Sequence, residues 1–142
     1  SANGLELSVS YTDMNGQKID PKQLVQGSDF RAEVRVKNTS KRNYDELAIQ
    51  QVFPSGWEIH NTRLTGAAAG GDKAEYQDFR DDRVYTFFDL KMGKEKTFKI
   101  LLNASYLGKY YLPALSVEAM YDKSIQARKR GKWVTVVKNL NE

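Results

Sequence analysis

Cysteine is missing from all 142 residues, histidine occurs only at position 60, and only three prolines interrupt the chain. Without thiols there is neither a disulfide nor a thiolate zinc site, and one histidine cannot build a multi-histidine metal centre. His60 also leaves a Ser-His-Asp relay with no spare imidazole, so it reads as a loop or surface residue. No apolar run approaches the roughly 20 residues that cross a bilayer as a helix. Ser1-Ala2-Asn3-Gly4 has neither the basic region nor the apolar core of a signal peptide. Residues 1–4 therefore read as a junction or linker remnant, residues 5–138 as one domain, and residues 139–142 as a tail. The compartment does not follow from the missing cysteines, because many exported domains lack them too.

What is present is alternation. With 40% hydrophobic and 28% charged residues the chain can close a core without metal or disulfide staples. Leu5, Leu7, Val9 and Tyr11 alternate with polar residues, and Asn15-Gly16 then marks a tight turn into Lys18-Ile19. Phe30, Ala32, Val34 and Val36 alternate with charged residues, which sets one face to core and the other to water. Leu47 and Ile49 start another strand whose alternation slips at Gln50-Gln51-Val52, a sign of a bulge or strand exit before Pro54-Ser55-Gly56. Trp57 and Ile59 follow, and Gly66 to Gly71 reads as a mobile loop rather than a helix. Val84, Thr86, Phe88 and Leu90 form an inward row, Met92-Gly93-Lys94 turns the chain, and Phe98, Ile100, Leu102 and Ala104 return it. Tyr85, Phe87 and Leu101 lie on the opposite row and are apolar too, which predicts cover from a loop or a neighbouring domain. The stretch from Gly108 to Tyr121 reads as one late strand with Leu115, Val117, Ala119 and Tyr121 inward, leaving through a charged loop to a last strand across Trp133, Thr135 and Val137. Seven to eight mostly antiparallel strands without an amphipathic helix predict an all-β, immunoglobulin-like sandwich; an antibody domain would need its cysteine pair.

Chemistry-bearing residues are few. Glu75, Asp78, Asp81 and Asp82 are hard oxygen donors, but Arg80 and Arg83 interleave with them and no calcium-loop spacing is present. The turn Arg80-Asp81-Asp82-Arg83 therefore reads as a structural, salt-bridged turn whose charges pair with each other or with the final hairpin, and a two-pronged arginine–carboxylate pair would fix it before the strand at Val84. The glycines at 66, 70 and 71 lack the Gly-Lys-Ser/Thr ending of a phosphate loop. Glu118 and Asp89 are a weak acid/base pair by type alone, and solvent-facing acids are the plainer reading. Lys123, Arg128, Lys129, Arg130 and Lys132 form a basic rim that outweighs the whole-chain surplus of +4. A solvated hairpin rim, a protein-facing patch and a phosphate grip all compete there, but no aromatic stacking platform accompanies the cations. Neither nucleic acid nor membrane insertion is expected.

Three stretches carry a resemblance. Leu47 to Ile59 with its Phe53-Pro54-Ser55-Gly56-Trp57 turn, Phe79-Arg80-Asp81-Asp82-Arg83 leading into Phe88-Asp89-Leu90, and Gly108 to Tyr121 with the Arg128 to Val134 hairpin occur in one order. Together they resemble the C-terminal macroglobulin-like domain (MG10-like) of bacterial alpha-2-macroglobulins, over most of residues 5–137. The resemblance implies a non-catalytic module of a large protease inhibitor that needs no cofactor or metal. It implies neighbouring domains of the same polypeptide as partners, a thioester-type domain above all, and target proteases reached only through the intact parent. It implies a periplasmic or other extracytoplasmic place in the cell envelope, with the parent as a lipoprotein. The pair Met120-Tyr121 matches the position where an aromatic residue keeps water from the reactive bond. Simple core packing of Tyr121 competes with that role, and by alternation Met120 is the better contact, since a thioether suits an irregular surface. With Tyr85, Phe87 and Leu101 they make up the candidate interdomain contacts. The rival is a carbohydrate- or protein-binding sandwich in which Tyr85, Phe87, Tyr110 and Tyr111 form an aromatic platform.

Overall fold

A computed structural model describes residues 4–60 and 71–140. The junction reading of residues 1–4, the tail reading of 139–142 and the Gly66 to Gly71 loop thus fall partly outside the described residues, the loop in all but Gly71. Among the described residues the order is β1 (Leu5–Asp13), β2 (Lys18–Ile19), β3 (Gln23–Val25), β4 (Asp29–Asn38), β5 (Tyr44–Val52), β6 (Trp57–Ile59), β7 (Tyr76–Phe79), β8 (Arg83–Leu90), β9 (Glu95–Ala104), β10 (Gly108–Leu112), β11 (Leu115–Ala119), β12 (Asp122–Lys129) and β13 (Lys132–Val137). The fold is an all-β sandwich, as the alternation requires. Among the described residues thirteen strands appear where seven or eight were expected, because pairings of two to four residues, such as β2, β3, β6 and β7, are too short to show a period.

One long sheet, β2-β1-β4-β9-β6, packs against two others: β12-β11-β5-β8-β7 and the small β10-β13-β3. Every pairing is antiparallel except β13 with β3. The core divides accordingly. Leu5, Leu7, Val34, Val36 and Phe98 meet Leu47, Ile49, Phe88, Leu90 and Val117 at one end. At the other, Tyr11, Phe30, Ile100 and Leu102 meet Leu24, Leu112, Val134 and Val136 around Trp57. Trp57 stands edge-on to Phe30 (centroids 5.0 Å apart) and to Tyr11 (6.0 Å), the geometry that sets ring edges against π-faces.

Four sequence expectations are corrected. The alternation of β5 does not slip at Gln51: Leu47, Ile49 and Gln51 are all buried, so an inward glutamine merely mimics a break. The irregularity of β5 is at its start, between Tyr44 and Leu47, where Glu46 takes a φ of 55°. The Gly108 to Tyr121 stretch is two strands in different sheets, split at Pro113, whose missing N–H cannot continue a ladder. The following charged residues form β12 rather than a loop, and in β13 the inward row is Val134 and Val136, with Trp133 exposed.

The motif Pro54-Ser55-Gly56-Trp57 has a packing cause. Trp57 N–H donates to Pro54 O, and Gly56 O accepts from the Ser105 and Tyr106 amides. A Cβ on Gly56 would collide with the Tyr110 ring, whose hydroxyl donates to Tyr106 O and Leu107 O. Glycine is required here for ring space. Asn38, which no pattern singled out, ties two turns together: its Nδ2 donates to Arg42 O and Leu90 O, and its Oδ1 accepts from Ser40 N–H and Oγ–H.

Candidate interdomain contact site

β11 and β12 meet in a two-residue turn. Ala119 pairs with Asp122, which leaves Met120 and Tyr121 alone at the tip. Tyr121 does not continue the inward row of Leu115, Val117 and Ala119: it is 53% exposed and Met120 61%, since the chain reverses before the next inward position. Core packing of Tyr121 is therefore excluded.

The tip is anchored on both sides. The Met120 N–H donates to Glu46 O (2.9 Å), at the irregular start of β5. Glu46 N–H in turn donates to Asp89 Oδ1 on β8 (2.9 Å). Beyond the tip, Asp122 Oδ1 accepts from Ser124 N–H (3.0 Å) and Oγ–H (2.6 Å). Those bonds hold the Asp122 carboxyl below its ordinary range, with a smaller contribution from the Arg42 charge. Asp89, half of the weak acid/base pair, is thus occupied in holding backbone, while Glu118 is exposed on β11.

The other contact candidates do not join this tip as one surface. Tyr85 and Phe87 lie on the outer side of β8, where Arg80 stands over the Tyr85 ring (5.5 Å) and Tyr76 stacks on Phe87 (5.8 Å). Leu101 belongs to the other long sheet and is buried, with its carbonyl accepting the His60 amide. A single apolar face through all three does not exist: outward residues of two stacked sheets point away from each other. The four-ring platform is likewise dispersed, since Tyr110 and Tyr111 are on β10 in the small sheet. Tyr111 meets Trp133 edge-on at 5.3 Å instead of lying flat beside it.

In the charged turn, Arg83 grips Asp82 through Nε (2.9 Å) and Nη2 (3.1 Å), while Arg80 takes Asp78. Arg83 is thereby made harder to deprotonate and the Asp82 carboxyl is held below its ordinary range, chiefly by that hydrogen bond. Backbone bonds close the turn, from Arg80 N–H to Arg83 O and from Phe53 N–H to Asp82 O. Among the described residues no group of three or more His, Asp or Glu could hold a metal ion. No helix among them is long and apolar enough to cross a membrane. The basic rim is split along the chain: Lys123 follows the tip, Arg128 and Lys129 end β12, and Lys132 opens β13, its Nζ 3.8 Å from Asp20 and 5.9 Å from the Tyr11 ring centre.

Residues 4–123 match the family described as the bacterial alpha-2-macroglobulin MG10 domain. The chain belongs to that family. An alpha-2-macroglobulin homolog from Yersinia pestis is 27% identical over 92% of this chain, which spans 8% of that protein. Among solved structures, native alpha-2-macroglobulin from Escherichia coli, from its MG7 domain to the C-terminus, superposes with a TM-score of 0.84 at 20% identity, over 94% of this chain and 23% of that one. Salmonella alpha-2-macroglobulin reacted with methylamine does so with 0.81 at 23%, over 95% of this chain and 9% of that one. At such identities these superpositions establish the shared fold, and the small shares covered show that the relatives are far longer than this MG10 domain.

Proposed function

We propose that this MG10 domain is a non-catalytic interaction module of a multidomain protease inhibitor, and that the Met120-Tyr121 tip is its contact with a neighbouring thioester-type domain. The observation that carries the reading is the tip itself: two large apolar side chains exposed together on a turn anchored by Glu46 O and by Asp122. Two such side chains ordered in water lose entropy without apolar burial, and a partner surface supplies that burial. A tyrosine ring over a strained acyl bond keeps water from it, and the methionine fills the irregular space beside it. The family membership supports the inhibitor reading, and so does the resemblance to a protein that methylamine modifies. Target proteases are met only by the parent, in the cell envelope outside the cytoplasm, with the parent held there as a lipoprotein. The Tyr76-Phe87 stack beside Tyr85 is a second interdomain contact in this reading.

The test is Met120→Ala with Tyr121→Ala in the full-length parent. Faster reaction with methylamine and looser interdomain packing are expected. Unchanged methylamine sensitivity and packing would remove the role from the tip.

A further inference from the structure

Glu46 is the only non-glycine residue among those described with a positive φ, at 55°. An L-residue with a bulky side chain enters the left-handed region only when its surroundings hold it there. The holding group is identifiable: Glu46 N–H is bound by Asp89 Oδ1 (2.9 Å), and Asp89 is exposed on the neighbouring strand, where its side chain has no packing task. The consequence falls on the next strand over. With Glu46 turned left-handed, the β5–β8 register jumps from Tyr44 opposite Leu90 to Leu47 opposite Phe88, and the Glu46 carbonyl is freed to accept the Met120 N–H (2.9 Å). The regular β5–β11 ladder stops one pair earlier, at Ala119 opposite Leu47, so this bond is what ties the tip to β5.

We infer that Asp89 is a positioning residue for the Met120-Tyr121 tip, acting through the left-handed backbone of Glu46. The inference rests on the proposed contact role of that tip. A carboxylate on β8 thereby sets the height and direction of two side chains on the β11–β12 turn, two strands away in the sheet. The glutamate side chain contributes nothing to the relay, which runs through its N–H and C=O. Any residue that tolerates the left-handed region serves at position 46, and glycine serves best.

Hydrogen exchange of the Met120 amide, followed by NMR, reads this anchor directly. Asp89→Ala should speed that exchange about tenfold, with the Val117 and Ala119 amides unchanged, because one backbone hydrogen bond is freed locally. Asp89→Asn keeps an oxygen acceptor at the same place and should retain most of the protection. Glu46→Gly placed in the Asp89→Ala background should restore it, since glycine holds the left-handed conformation without help. Met120 exchange unaltered by Asp89→Ala would overturn the inference, as would failure of glycine to rescue. Slowed or normal methylamine reaction of the parent carrying Asp89→Ala, with the Met120 amide freed, would leave the anchor standing and count against the contact role of the tip instead.

Discussion

At the scale of single residues, the informative side chains are those that satisfy buried backbone. Asn38 is fully buried and makes four side-chain hydrogen bonds between the turn after β4 and the end of β8. Replacing it with alanine takes the amide donor from the Arg42 and Leu90 carbonyls and the acceptor from the Ser40 N–H, and Asn38→Ala should cost about 2 to 4 kcal/mol in chemical denaturation. A loss below about 0.5 kcal/mol would mean that water replaces the amide. The Arg83–Asp82 pair is the opposite case, since both groups face solvent, and Arg83→Ala and Arg80→Ala should leave the denaturation midpoint nearly unchanged. Its signature is in pH. The Asp82 carboxyl is depressed in the folded state, so the unfolded chain binds its proton first as pH falls. The pair's contribution is complete above the ordinary carboxylate value and is lost as pH drops through the lower folded one. The acid limb of a stability–pH curve should therefore be slightly shallower in Asp82→Asn, most visibly at low salt. An identical limb at low salt would show that the grip does not persist in solution.

At the scale of elements, β12 is the exposed edge of its sheet, paired on one side only with β11. An unpaired edge is a template for another strand, and Lys123, Arg128 and Lys129 place positive charge along it. We propose that the basic rim keeps this edge from pairing with a strand of another chain. Arg128→Val with Lys129→Val should promote self-association, seen as a concentration-dependent rise in sedimentation coefficient. A strictly monomeric variant would return the cations to partner binding. The irregular start of β5 belongs to the same scale, because one left-handed residue there fixes how far the β11–β12 turn projects.

At the scale of the whole molecule, one continuous sheet spans two apolar clusters and is faced by two separate sheets. Both clusters are filled by the domain's own side chains, and among the described residues the large apolar groups left exposed lie in small, separate sets: the Met120-Tyr121 tip, Tyr106 with Leu107, the Tyr111-Trp133 pair, Tyr76 stacked on Phe87, and Met14, Met92 and Leu140 singly. A domain closed in this way should fold alone yet lack the means to enclose a protease. Added in excess to an active protease, it should leave cleavage of a large protein substrate undiminished. Blocked large-substrate cleavage with retained small-substrate cleavage would show trapping by the domain itself and overturn its assignment as a part that works only in the intact chain.

Wherever one face meets core and the other meets water, the amino-acid order alone was sufficient. The rows Phe30 to Val36, Val84 to Leu90 and Phe98 to Ala104 lie inward as their alternation demands, and Asn15-Gly16 and Met92-Gly93-Lys94 turn the chain where expected. The family was legible in three stretches taken together, Leu47 to Ile59, Phe79 to Arg83 leading into Phe88-Asp89-Leu90, and Gly108 to Tyr121 with the Arg128 to Val134 hairpin, because their wording and order are local features of the chain. What alternation could not carry is whatever depends on which strands become neighbours. Tyr121 fits an inward row until the chain reverses at Met120, and Tyr85 and Leu101 read as one face until they are assigned to different sheets. The Asp89–Glu46–Met120 relay joins residues 43 and 74 positions apart in sequence. Periodicity describes a strand's own two faces and is silent about the hydrogen bonds between strands, and those decide where the tip is held.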